Sequence, residues 1–301
     1  MKTIVTFACI VFSFLIIFPQ KGFAMDVNLS TQWEELTAPD FVKAVTKSNK
    51  VCILPMGIIE KHGPHLPLGT DLYETRAMVL NAVKEEYAVV FPEYFIGQIN
   101  EARTQPGVVS YTPELIWKTL QETCDEISRN GFEKIIIISG HGGNNDFLKY
   151  FCMSQLSQKR NYSIYLSQPK TDPNDHKKVE ELMKKLPPAP AEHAGAIETS
   201  YMLVLRPDLV KMENASMQSG DDQDRLSNLP DVYTGIWWYA KFPNHYAGSG
   251  KAAIVELGKA LLEEDTKQLV RMIRQVKADT KVPQLQKEFF DAAAHPIDTK
   301  Q

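Results

Sequence analysis

KIIIISGHGGNN, residues 134–145, decides the fold. Four consecutive isoleucines between a lysine and a serine read as a short strand buried on both faces, and the glycines that follow end it. Working outward, VCILP (51–55) is a second apolar run stopped by proline and glycine, again a buried strand running into a loop. Between them, Ala77, Leu80 and Val83 recur at helical spacing over 73–86, and AVVFP (88–92) returns to strand character. Thr112-Pro113 opens a helix with a hydroxyl cap and a proline at its first position, and Asn130-Gly131 closes it. Beyond the isoleucines come a helix from Asp146 to about Lys159, a strand at YSIYL (162–166) and a helix over 175–186. This alternation predicts an α/β domain with a mostly parallel sheet covered by helices. Ligands of such sheets bind outside the carboxyl ends of the strands. Segments 57–71 and 139–145 both begin where a strand ends, so both belong on that rim.

The rest of the chain sets the context. Residues 4–18 are an almost unbroken apolar run, followed by a more polar stretch ending in small residues at Gly22 and Ala24. This reads as a secretory signal peptide over residues 1–24, giving an exported, periplasmic or secreted protein whose remaining 25–301 form a single domain. The run is about 15 residues against the roughly 20 needed to span a bilayer, so no stable membrane anchor is expected after cleavage. Removing Lys2 and Lys21 with that segment moves the net charge from −4 to −6. A mildly acidic chain is a poor nucleic-acid binder, and none is expected as a partner. Cys52, Cys124 and Cys152 lie in apolar stretches and read as buried thiols rather than a disulfide framework. From Ala252 to Lys277 a helix with a break is expected, followed by a peripheral tail after Pro283. Residues 212–246 have no clear period but carry Trp237, Trp238, Tyr239 and Phe242; a lid, an oligomer contact or plain core cover would each account for them.

The chemistry-bearing residues fall in three segments. In the first, Glu60 and His62 are two apart, so an extended backbone points both to one side, and Asp71 arrives at the end of the loop able to bridge. The second supplies His141. The third, EHAGAIETS (192–200), supplies Glu192 and His193 ahead of a helix and Glu198 within it. Mixed carboxylate and imidazole ligands suit zinc, manganese, iron or cobalt rather than calcium. Taken singly, His141 before glycine could be a packed turn, Glu198 an arginine partner and Glu192 a surface acid. Three such segments on one rim point to a shared site.

EKHGPHLPLGTD (60–71), GHGGN (140–144) and EHAGAIETS (192–200), in this order and at these separations, resemble the creatininase (creatinine amidohydrolase) family. The likeness runs from about Val51 to Leu205. It implies a three-layer αβα domain, homo-oligomers such as hexamers, and two divalent ions, zinc foremost with manganese or iron as alternatives, that activate a water to hydrolyse a small-molecule amide. By position, Glu60 and His141 resemble ligands of one metal, His62 a ligand of the other, Asp71 the bridging carboxylate and His193 the catalytic histidine. Glu192 would orient His193 or carry a proton.

Two departures bear on substrate. Creatininases place tyrosine and a metal-binding glutamate directly after the histidine of the second motif, where this chain has Gly142 and Gly143. Glu198 is the expected replacement ligand, and the two glycines would leave room for substrate and offer N–H groups to an oxyanion. A tryptophan and an aspartate that grip creatinine are replaced by Pro188-Ala189-Pro190-Ala191. The expected activity is therefore hydrolysis of a cyclic or formamide-type C–N bond other than creatinine's. Peptide trimming, or a non-catalytic or mononuclear binding protein of the same fold, are the alternatives.

Overall fold

The computed structural model describes residues 29–187 and 192–300; the expected signal peptide and the segment Pro188–Ala191 lie outside them. Four parallel strands, β1 (Val51–Met56), β2 (Val89–Val90), β3 (Lys134–Ser139) and β4 (Ser163–Leu166), lie in the order β2-β1-β3-β4. β1 and β3 pair along their full length, from Val51 opposite Lys134 to Met56 opposite Ser139. The isoleucine run is buried on both faces, and its alternation builds two cores. Ile135 and Ile137 join Cys52, Leu54, Leu120, Cys124 and Phe151, under α3 (Pro113–Arg129) and α4 (Asn145–Ser154). Ile136 and Ile138 join Val79, Val83 and Ile273, under α2 (Thr70–Glu85) and α8 (Val255–Ala278). Each fully buried isoleucine contributes about 1.5–3 kcal/mol, so this one strand is a large part of what holds the layers together. The α/β class and the helix–sheet–helix layering match the sequence expectation.

Because the chain leaves β1 for β2 on one side and then crosses to β3 on the other, the order reverses between β1 and β3, which is where ligands of such sheets bind. Two close approaches bring α2 to that point. A Cβ on Gly57, just after β1, would fall 2.6 Å from the Leu72 nitrogen, and one on Gly140, just after β3, 2.0 Å from Thr75 Oγ1. Glycine at both strand exits lets the first turn of α2 settle against the carboxyl ends of both strands.

Several boundaries differ from the sequence expectation. α2 begins at Thr70 rather than Tyr73, so Asp71 sits in a helical first turn and not in the loop. β2 keeps only two of the five residues of AVVFP, because Pro92 cannot donate to a ladder. α4 stops at Ser154 and α5 spans Pro173–Met183, each shorter at its C-terminal end than expected. α8 runs 24 residues without a break, and the tail after it forms α9 (Lys281–Ala293), which has no buried residue and is peripheral as expected. α1 (Ala38–Lys47) adds Ala44 to the core that Ile135 and Ile137 join, α6 (Ala196–Leu205) carries the third motif, and α7 (Trp237–Lys241) is a short helix within the aperiodic segment. Cys52 and Cys124 are buried free thiols, as expected, while Cys152 is only half-buried. Among the described residues no helix is long and apolar enough to cross a membrane.

Candidate metal centre

Glu60, His62, Asp71, His141, His193 and Glu198 converge beyond the ends of β1 and β3, and all but Glu198 are buried. They form two acceptor sets joined by Asp71. In the first, His141 Nδ1 stands 2.7 Å from Glu60 Oε1 and 3.4 Å from Asp71 Oδ2. His141 Nε2 is committed to donating to the Gln98 carbonyl at 2.9 Å, which leaves Nδ1 as the nitrogen facing the carboxylates. Glu60 Oε1 and Asp71 Oδ2 are buried without a hydrogen-bond donor, Glu60 Oε1 being close to His141 but out of line for a bond. Orphaned anionic oxygens converging on an imidazole nitrogen fit a cation. In the second set, His62 Nε2 lies 2.9 Å from Asp71 Oδ1 and 3.9 Å from Glu198 Oε2, with His193 beside them. Asp71 thus turns one oxygen to each set, as a bridging carboxylate must. The donor set of imidazole nitrogens and carboxylate oxygens suits zinc, manganese or iron.

The electrostatics carry the same demand for positive charge. Burial by itself would lower the proton affinity of His62, yet Asp71, Glu198 and Glu60 override it and push its pKa up to about 10. His141 is likewise raised, against burial, by Glu60 and Asp71. Glu60 is held low against its own burial by His141 and His193.

Each side chain has a local cause for its placement. Glu198 lies in the first turn of α6, where the helix N-terminus favours an anion, and its Oε2 accepts the Ala194 N–H at 2.5 Å. Ala194 is left-handed at φ 57°, which turns the chain between His193 and Glu198. His193 Nε2 donates to the Lys61 carbonyl at 2.9 Å, so that carbonyl, rather than Glu192, orients the ring, and Nδ1 is left free. Glu192 packs against Gly195 and accepts backbone N–H groups of Ala196 and Ile197; burial pushes it up to about 7.

Sequence reasoning missed His245. Its Nε2 lies 2.5 Å from Glu60 Oε2, while Trp238 Nε1 donates to its Nδ1 at 2.8 Å. An indole N–H can only donate, so Nδ1 accepts and Nε2 carries the proton donated to Glu60. His245 is therefore a brace on Glu60. It reaches there because residues 193 and 247 exchange two backbone hydrogen bonds, of 3.0 and 2.9 Å, and because Lys61 Nζ donates to Gln218 Oε1 at 2.7 Å and to the Asn244 carbonyl. The aromatic segment is strapped over the site, and the only sequence signal was a buried-type histidine following the tryptophans. A cavity of about 310 Å³ opens onto the cluster, walled by Glu101, Gly142, Gly143, Glu192, Trp237 and Trp238.

The comparisons with known proteins agree with the fold. The creatinine amidohydrolase family profile matches residues 34–273. Creatinine amidohydrolase of Pseudomonas putida is 26% identical over 190 residues, covering 60% of this chain and 73% of that protein. Mycofactocin precursor peptide peptidase of Mycolicibacterium smegmatis is 30% identical over 214 residues, covering 68% and 72%. A crystal structure of creatinine amidohydrolase superposes with a TM-score of 0.68 at 23% identity, over 83% of this chain and 99% of that one. With a matching parallel sheet and a profile spanning most of its length, the chain belongs to the creatininase family.

Proposed function

We propose that this protein is a metal-dependent hydrolase of a small amide, working through a dinuclear centre, on a substrate other than creatinine. The observation that carries the reading is Asp71 facing Glu60 and His141 with Oδ2 and His62 with Oδ1, beside buried carboxylate oxygens that lack any donor. Glu60, Asp71 and His141 would hold one ion; His62, Asp71 and Glu198 would hold the second, with Glu198 in the role that position 143 cannot fill. Solved creatininases described as manganese and zinc forms support these metals. Two such ions, when bound, supply Lewis acidity for the carbonyl oxygen and lower the pKa of a water towards neutrality.

The chain's own residues do the rest. Water adds its oxygen to the carbonyl carbon, the C–N bond breaks, and the leaving nitrogen takes a proton. His193 Nδ1, which carries the lone pair because Nε2–H donates to the Lys61 carbonyl, can take a proton from the attacking water and hand it to the leaving nitrogen. Glu192, with a pKa near 7, can accept a proton from water and pass it on. Gly142 leaves open space on the cavity wall for the substrate, and it and Gly143 begin a turn whose first N–H groups are available to an oxyanion. Trp237 and Trp238 give the cavity an aromatic wall.

Export through the N-terminal segment would place this activity outside the cytoplasm, favouring scavenged amides or peptides over biosynthetic intermediates. Exposed Val232, Tyr233 and Ile236 on the aromatic segment support a homo-oligomer. A second reading, trimming of a peptide, is favoured by the likeness to the mycofactocin precursor peptide peptidase. The test is reconstitution. Metal-free protein given zinc or manganese should regain hydrolysis of primary amides or short peptides; no turnover with either metal on either class would leave the binding-protein alternative.

A further inference from the structure

Resting on the amide-hydrolase reading, we propose that Glu101 selects the substrate, and that the preferred amide carries a positively charged group such as an ammonium. The first observation is chemical asymmetry. The cavity walls bear Glu101 and Glu192 in addition to the carboxylates of the metal sets, and no lysine or arginine among the described lining residues. Lys61, the nearest basic residue in sequence to the first motif's ligands, spends its ammonium on Gln218 and the Asn244 carbonyl. With the ions occupied by the metal-set carboxylates and the reacting amide, the carboxylate or phosphate of an anionic substrate would meet no basic side chain on the described cavity wall.

The second observation is where Glu101 sits. A Cβ on Gly143 would lie 3.0 Å from Glu101 Oε1 and 2.4 Å from His141 Nε2, so Glu101 occupies the space beside the histidine that a side chain at 143 would need. Its Oε2 accepts from Gln98 Nε2 at 2.9 Å, and Gln98 in turn holds His141 through its carbonyl. One carboxylate oxygen is anchored and the other faces the cavity. Third, α7 packs against the turn Asn100–Ala102, and Trp237, Trp238 and Glu101 line the same cavity. A carboxylate beside aromatic faces is a recognised way to hold an organic cation. With the reacting atoms at the metal sets, a cationic group on the far side of the scissile amide would sit between Glu101 and the tryptophans.

The experiment uses full-length zinc-loaded protein and three primary amides of matched size: β-alaninamide (cationic), butyramide (neutral) and succinamate (anionic). Ammonia release gives kcat/KM, and calorimetry gives binding independently of turnover. The expected order is cationic over neutral over anionic, with the first two separated by about tenfold. Glu101→Gln should collapse the cationic-to-neutral ratio towards unity in both readouts, and Glu101→Asp, which keeps the charge, should retain most of it. Equal binding of the three amides, or a cationic preference that survives Glu101→Gln, overturns the proposal. If β-alaninamide binds preferentially and in a Glu101-dependent way but none of the amides is hydrolysed, the selection stands and the amide-hydrolase reading fails.

Discussion

Gly143 shows how one residue can redistribute a site. Restoring the glutamate that creatininases carry there should not restore their chemistry here, because its Cβ would meet His141 Nε2 at 2.4 Å, and that ring is fixed by the Gln98 carbonyl. Gly143→Glu is expected to cost about 1–3 kcal/mol of stability from the forced shift and to weaken metal binding by displacing His141. Urea denaturation alongside metal titration checks this; a variant as stable as the parent and binding metal more tightly would show that the loop adapts. Most of the site's residues were legible in the sequence because each motif packs its ligands within a few positions, two of the motifs directly after a strand and the third at the start of α6. Glu60 and His62 share the loop after β1 and Asp71 opens α2 at its end, so one motif shows all three as candidate ligands, while their separate roles are what the family resemblance implies. His245 was illegible because its function exists only in partnership with Glu60, 185 positions away.

At the scale of elements, the aromatic segment proves to be neither loose lid nor simple core cover. Trp238 in α7 sets the tautomer of His245, and His245 holds the outer oxygen of Glu60. Trp238→Phe keeps the ring and deletes the N–H, so His245 loses the partner that fixes its proton on Nε2. Partners one step behind a metal ligand typically matter by about 10–100-fold in affinity. Trp238→Phe is expected to weaken metal binding by at least the lower figure with the fold retained, read by competition with a chelator. Unchanged affinity would reduce the Trp238–His245 contact to packing. The strands and α3 were legible because strong local signals agree, an apolar run or a Thr-Pro start with an Asn-Gly stop. α7 was not, since its five residues in an aperiodic stretch are placed by tertiary contacts, Trp238 against His193 and His245, rather than by any pattern of their own.

At the scale of the molecule, the reversal in strand order fixes where the site lies, and the layers behind it bear an electrostatic cost. Asp265 in α8 is pushed up to about 6 by burial and accepts a hydrogen bond from Tyr201 of α6; Glu74 of α2, buried with an unpaired oxygen, is raised well above the usual carboxylate range by burial. A carboxyl whose pKa is higher folded than unfolded stabilises the fold below its unfolded value near 3.8, and that contribution is lost as pH rises through about 6. Asp265→Asn, which still accepts from Tyr201, should therefore raise stability at pH 7.5 by about 1–2 kcal/mol and flatten the pH dependence between 4 and 7, measured by urea denaturation. A variant no more stable than the parent at neutral pH would contradict this. The layered fold was legible from alternation alone, whereas this cluster was not, because it assembles from three helices that never adjoin in sequence.

Metal stoichiometry tests the dinuclear centre most directly. Elemental analysis of the purified protein, reconstituted with zinc or manganese, is expected to give two ions per chain. Asp71→Ala should lose most of both, since that one side chain faces both sets, while Glu198→Ala should lose only one. A single ion in the parent protein, or two ions retained by Asp71→Ala, would contradict a centre bridged at Asp71.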